Sequence, residues 1–135
     1  MKEELISLLV DKITKVYQKQ VAAKTAMISN SWNDTFAFTY SLDYFVLEDQ
    51  LKELNTILSY VQDANQKNFK SYLMNLITHY CEQIYRKAKP EQSSSLAREL
   101  IKERDFLARK EMINFCKYAI RKLYDVEVRQ VTISI

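Results

Sequence analysis

Histidine and cysteine, which enzymes often use as catalytic base and nucleophile, are few in this sequence. The only histidine is His79, and the two cysteines are Cys81 and Cys116. A serine or cysteine nucleophile needs a base within hydrogen-bonding distance, and His79 is the only imidazole that could serve. Cys81 follows His79 by two residues, which on a helix places the two side chains about 160° apart. The two therefore cannot cooperate within one helix, and we predict no catalytic residue.

Metal and cofactor sites are not indicated either. Metal sites in helical bundles use inward-facing carboxylates and histidines, such as Glu-x-x-His pairs, and no glutamate lies three residues before His79. The sequence contains no glycine, which excludes the phosphate-binding loops and dinucleotide fingerprints that need several. We expect an exposed histidine. The alternative is phosphotransfer by a histidine midway along a bundle helix, but the glycine-containing surroundings typical of such domains are missing. We predict no enzyme, no cofactor, no metal and no small-molecule substrate.

Long amphipathic helices explain most of the apolar pattern. The absence of glycine and the single proline argue against a β-rich fold. Between residues 37 and 61, apolar residues recur at alternating steps of three and four, a seam typical of helices that pack at a shallow angle. Its members are Ala37, Tyr40, Tyr44, Leu47, Leu51, Leu54, Leu58 and Val61. Similar spacing predicts three further helices over about 2–27, 66–88 and 96–125. In the first of them, Val10 and Tyr17 broaden the apolar face that we expect to be buried.

These elements predict an all-α fold, an antiparallel four-helix up-down bundle with an extended β-like C-terminal tail. At 135 residues we expect a single domain, residues 1–125, followed by the tail, residues 126–135. The tail alternates β-branched residues, and the chain offers no second strand with which it could pair. It could pair with another chain, dock as an extended arm or be disordered, and we expect pairing or docking.

Two polar residues interrupt the predicted apolar faces. Gln20 lies in the seam of the first helix, where an amide needs hydrogen-bond partners. Arg104 lies in the middle of the fourth seam, where an unpaired guanidinium would cost several kcal/mol. We expect its head group to reach the surface or to pair with an acid on the second helix, such as Asp43 or Glu48.

Three features suggest contact with a protein partner. An aromatic cluster begins at Trp32 and Phe36, beside the predicted cap of the second helix at Asn33 or Asp34. The apolar face of the fourth helix rotates by about a third of a turn, taking about 100° per residue. The third feature is the unpaired β-like tail, residues 126–135. The candidate partner-binding residues are Trp32, Phe36, Ile113, Ile120, Tyr124, Val131 and Ile133.

Charge is unevenly distributed along the chain. Residues 1–66 carry six Lys/Arg and nine Asp/Glu, whereas residues 67–135 carry fourteen and eight. The two halves could simply attract each other, or the basic half could bind an acidic partner. Arg98, Lys102 and Arg109 fall together on the outer face of the fourth helix, where they could follow a phosphate backbone. Interspersed acids and the lack of a nucleic-acid-binding motif weaken that interpretation.

The sequence therefore favours a non-catalytic protein–protein interaction module, an adaptor, assembly factor or regulator, with self-association as a homodimer expected. The alternative is a helical subunit of a ribonucleoprotein or DNA-processing assembly that binds nucleic acid through residues 86–122. No apolar run approaches the ~18 residues that span a bilayer, and no secretory signal is visible. Together with two cysteines expected to be buried and reduced, this predicts a cytoplasmic protein with no membrane contact.

Overall fold

Four helices make up the regular structure of the computed structural model, which describes residues 1–29, 33–65, 68–87 and 96–125. They are α1 (Lys2–Ser29), α2 (Asp34–Asp63), α3 (Lys70–Lys87) and α4 (Leu96–Tyr124). The all-α prediction is confirmed. The predicted β-like tail, residues 126–135, lies outside the described residues.

Local hydrogen bonds set the helix ends. α2 begins directly after Asn33, at the predicted cap. α3 begins at Lys70, later than predicted, and Lys70 N–H donates to Asn68 Oδ1 over 3.0 Å, so the Asn68 side chain shapes the turn before this helix. α4 ends where Asp125 adopts a φ of 54° and donates its N–H to the carbonyl of Arg121 over 3.0 Å. A left-handed residue at this position is usually glycine, and aspartate is among the few other residues that tolerate it.

The helices form two antiparallel pairs. Lys2 at the start of α1 donates from Nζ to the carbonyl oxygen of Gln62 at the end of α2, over 2.8 Å. Phe69, directly before α3, donates its N–H to Tyr124 Oη at the end of α4, over 2.7 Å. The two pairs are joined chiefly where α2 packs against α4. The result is an all-α helical bundle.

Small buried residues line the inner face of α4. Ala108, Cys116 and Ala119 are completely buried. Short side chains let a neighbouring helix backbone come close, because interaxial distance depends on the side chains at the contact. The core combines residues from all four helices with Phe69 just before α3. Its buried members are Leu5, Leu9, Val16, Leu54, Ile57, Val61, Phe69, Leu73, Ile77, Tyr80, Cys81, Met112, Ile113, Phe115, Cys116, Ala119 and Ile120.

α2 buries a wider face than the seam predicted for it. Leu54 and Val61 of that seam are fully buried, but Val46, Gln50 and Ile57 are buried as well. These three lie to one side of the seam by the 100° rotation per residue. α2 packs against α1 on one side and α4 on another, so one row of residues cannot cover both contacts.

We expect Ala119→Leu to lower the free energy of unfolding by about 1–3 kcal/mol, because the added carbons have no space in the packed core. Urea denaturation followed by circular dichroism measures the loss. Lys110→Leu, at an exposed position of the same helix, is the control and should change it by about 0.5 kcal/mol or less. Equal effects of the two variants would contradict close packing around Ala119.

Candidate interaction surfaces

Arg104 forms an ionic contact between α2 and α4. Its Nε lies 3.2 Å from Asp49 Oδ2 and 4.0 Å from Asp105 Oδ1. Nε makes no aligned hydrogen bond, so the attraction is ionic. The expected pairing with an acid of the second helix is present, but that acid is Asp49 instead of Asp43 or Glu48.

The position of Glu48 explains this difference. Glu48 lies about 100° around α2 from Asp49, toward α1, where its carboxylate accepts a hydrogen bond from Nε2 of the buried Gln20. Asp43 lines a concavity that also borders α1. Gln20 thus has the hydrogen-bond partner that its position in the seam required.

A double-mutant cycle of Arg104→Met and Asp49→Asn should give a coupling energy of about 1 kcal/mol. The two side chains are 33% and 23% exposed, so the coupling should decrease as salt is added. Chemical denaturation at low and high ionic strength measures both quantities. Strictly additive effects of the two substitutions would show that the pair does not stabilise the α2·α4 contact.

A group of tyrosines lies where α3 meets α2. Tyr80 is buried and donates its hydroxyl to Glu53 Oε2 over 3.0 Å. Burial and this carboxylate raise the pKa of Tyr80. The rings of Tyr60 and Tyr72 stack with centroids 4.3 Å apart, and burial first, then Tyr60, raise the pKa of Tyr72 to about 12. Both phenols therefore stay protonated at neutral pH and serve packing and hydrogen bonding.

Both cysteines are free thiols and buried, as expected from the sequence. Burial raises the pKa of Cys116 from 9.0 to about 12. Burial also raises the pKa of Cys81, although the nearby ammonium group of Lys117 acts in the opposite direction. A thiol is a nucleophile or metal ligand only as the thiolate, and burial disfavours the thiolate form of both cysteines.

We expect stability to fall as the pH rises from about 9 to 12. In that range the unfolded chain ionises Cys116 while the folded chain keeps the thiol protonated, so folding loses up to ~1.4 kcal/mol per pH unit from this group. Urea denaturation across this range should show a shallower decline for Cys116→Ala than for the unmodified chain. The two curves should run parallel between pH 7 and 8, and parallel curves up to pH 12 would contradict the shift.

His79 is exposed, and its Nε2 lies 3.1 Å from Gln83 Nε2. Within residues 1–29, 33–65, 68–87 and 96–125, no three His, Cys, Asp or Glu side chains gather as a metal ion would require. In the same ranges, no helix combines the length and apolarity needed to cross a bilayer.

The structure describes three of the predicted partner-binding side chains, and all three serve the fold. Ile113 and Ile120 are buried in the core that α4 shares with α3, so neither can contact a partner while the bundle is folded. The Tyr124 hydroxyl is occupied by the hydrogen bond from Phe69. The rotation of the apolar face of α4 thus has an internal explanation, because its later half packs against α3. Trp32, Val131, Ile133 and the side chain of Phe36 lie outside the described part.

The predicted basic row is only partly available for a nucleic acid. Arg109 is half-buried and donates from Nε to Gln83 Oε1 of α3 over 2.6 Å. Lys102 is also half-buried and has an interaction of its own. The side chain of Arg98 is not among those described. Arg109 therefore links α4 to α3. The two described basic residues of the row, Lys102 and Arg109, both have interactions within the chain.

An exposed apolar surface lies instead on α1. Val10, Tyr17, Val21 and Ile28 are exposed by 47%, 57%, 47% and 63%. Their steps of seven, four and seven residues place them on one side of the helix. With the two threonines between them they form what we call the α1 outer stripe: Val10, Thr14, Tyr17, Val21, Thr25 and Ile28.

The threonines add to the apolar character of the α1 outer stripe. Thr14 donates its hydroxyl to the carbonyl of Val10 over 2.9 Å, and Thr25 donates to Val21 over 3.0 Å. Both donors are satisfied within the helix, as is common for threonine. The sequence interpretation assigned Val10 and Tyr17 to the buried face. The regular spacing of Val10, Tyr17, Val21 and Ile28 in the sequence could have indicated a second apolar row on α1, separate from the buried one.

A concavity of about 530 Å³ lies on another side of α1, between α1, α2 and α4. Ala22 and Ala26 of α1 form part of its wall, about 120–160° around the helix from Ile28. The rest of the lining combines apolar and charged residues: Lys19, Ala23, Tyr40, Asp43, Val46, Leu47, Leu107 and Glu111. A second concavity of about 270 Å³ follows between α1 and α4 and shares Glu111. Both are bordered by charges of both signs and contain no convergent set of reactive groups.

Comparison with known proteins finds no matching family model, no matching curated protein and no matching solved structure.

Proposed function

We propose that this protein is a non-catalytic interaction module that binds a protein partner through the α1 outer stripe. The single observation that carries the proposal is the alignment of Val10, Tyr17, Val21 and Ile28 along one exposed side of α1. The proposal agrees in kind with the function class favoured by the sequence but assigns the contact to a different helix.

Alignment matters because isolated exposed apolar residues are normal. Phe45, Met74 and Phe106 are exposed on three different helices and need no special explanation. Contiguous apolar surface on a monomer is uncommon and marks contact sites. The α1 outer stripe runs over about 27 Å at 1.5 Å per residue, roughly five turns of helix.

The spacing of the stripe also suggests how a partner would bind. Steps of four, three, four, four and three separate its six members, close to the repeat by which one helix packs along another. A partner helix lying along α1 would bury the four large side chains together. Tyr17, near the middle, has the amphipathic ring that often dominates the energy of an interface.

The tail and the aromatic cluster at Trp32 remain candidates for additional contacts within this proposal. The nucleic-acid alternative has less support, because Arg109 is engaged with Gln83 and acids are interspersed among the basic residues. An adaptor, an assembly factor and a regulator are all compatible with the proposed contact.

We expect the double variant Tyr17→Lys/Val21→Lys to lose at least tenfold of the partner captured by the unmodified chain, because two charges would have to be desolvated in the interface. Affinity capture from an extract of the native host, quantified by mass spectrometry, measures the loss. Tyr118→Lys is a matched control, since Tyr118 of α4 is 52% exposed and Tyr17 is 57% exposed.

Both changes are at the surface, so the unfolding free energies should stay within about 0.5 kcal/mol per substitution of the unmodified value. Capture that is unchanged in the double variant, or reduced equally in the control, would overturn the role of the α1 outer stripe.

A further inference from the structure

We propose that the partner of the α1 outer stripe is a second copy of this chain, bound so that the two α1 helices run antiparallel about a two-fold axis near residue 19. This inference rests on the proposed function, because it names the partner of the same surface. It also fixes which residues meet across the contact.

The four apolar residues of the stripe are spaced symmetrically along α1. Positions 10 and 28 are equally far from position 19, and so are positions 17 and 21. A two-fold axis requires that when residue i contacts residue j of the second copy, residue j also contacts residue i. An antiparallel pair centred at position 19 therefore places Val10 beside Ile28 of the second copy and Tyr17 beside Val21 of the second copy. All four exposed apolar side chains are covered in one register.

Charge favours this orientation over a parallel one. Lys24 is the charged residue closest to the stripe between Val10 and Ile28 on the side toward α2, by the 100° rotation per residue. A parallel, in-register pair would bring the two Lys24 side chains together. In the antiparallel pair, Lys24 lies beside Thr14 of the second copy, and the two lysines are separated by about 15 Å along the axis. That distance exceeds the screening length of ~10 Å at 0.1 M salt.

The surface around the axis is compatible with an identical surface. Like charges that meet across a two-fold axis are unfavourable, and the residues nearest the axis on this side of α1 are Tyr17, Gln18 and Val21. None is charged. Lys19 itself lines the concavity on the other side of α1. Thr14 and Thr25 bring no unsatisfied hydroxyl donor into the contact, because both hydroxyls bond within the helix.

Disulfide trapping tests the register directly. The variants Val10→Cys and Ile28→Cys carry tags of different size, so that their cross-linked products can be told apart. The two are mixed, and glutathione disulfide is added as the oxidant. We expect the mixture to form the cross-linked heterodimer at least tenfold faster than either variant forms a homodimer alone. The native cysteines do not interfere, because both are buried. Cross-linking of Val10→Cys mainly with itself would show a parallel pair and overturn the proposed arrangement.

Sedimentation velocity over a range of protein concentrations tests the self-association itself. The unmodified chain should shift from monomer to dimer, and Tyr17→Lys/Val21→Lys should raise the dissociation constant at least tenfold, whereas Tyr118→Lys should leave it unchanged. A monomer throughout the accessible range overturns the second copy as the partner. If the double variant nevertheless loses a partner captured from the host extract, the proposed function stands. If neither self-association nor capture depends on Tyr17 and Val21, both proposals fail.

Discussion

The packing of α2 against α4 is the contact on which the structure depends, because it joins two antiparallel pairs of helices. Ala108 and Ala119 are completely buried, and their short side chains let neighbouring helices approach α4 closely. Arg104 and Asp49 add an ionic contact across the same junction. Short side chains set how close the helices come, and the ion pair favours one alignment along them. The packing of α2 against α4 in turn determines which faces of α1 and α3 are exposed to solvent.

α1 has one apolar row that packs in the core and a second apolar row that is exposed to solvent. Leu5, Leu9 and Val16 face the core. The α1 outer stripe follows a second row, roughly a third of a turn away. The side chains that stabilise the fold and those proposed to bind a partner are therefore different residues of α1, so substitutions in the α1 outer stripe need not repack the core.

The sequence predicted the structure well where the apolar residues of a segment followed one periodicity, and less well where two apolar rows overlapped on the same helix. Absent glycine and three-and-four spacing were sufficient for the all-α fold, and the ends of α2 and α4 were placed to within a few residues. The fourth helix was harder, because the apolar row containing Ile113 and Ile120 has the same spacing whether it packs against α3 or binds a partner. Likewise, the sequence predicted that Arg104 would reach the surface or pair with an acid of the second helix, but it could not identify Asp49 before the rotation of α2 was known.

α3 is shorter than its neighbours, with 18 residues against 28 in α1 and 30 in α2. At 1.5 Å per residue, the difference from α1 is about 15 Å of helix. Gln83, near the end of α3, meets Arg109, so the first turns of α4 extend past the last turn of α3. At the other end of the bundle, Phe69 is fully buried and donates its N–H to Tyr124, so opening there breaks contacts of α3 and α4 together. Slow hydrogen exchange of backbone amides is therefore expected where α3 begins and α4 ends.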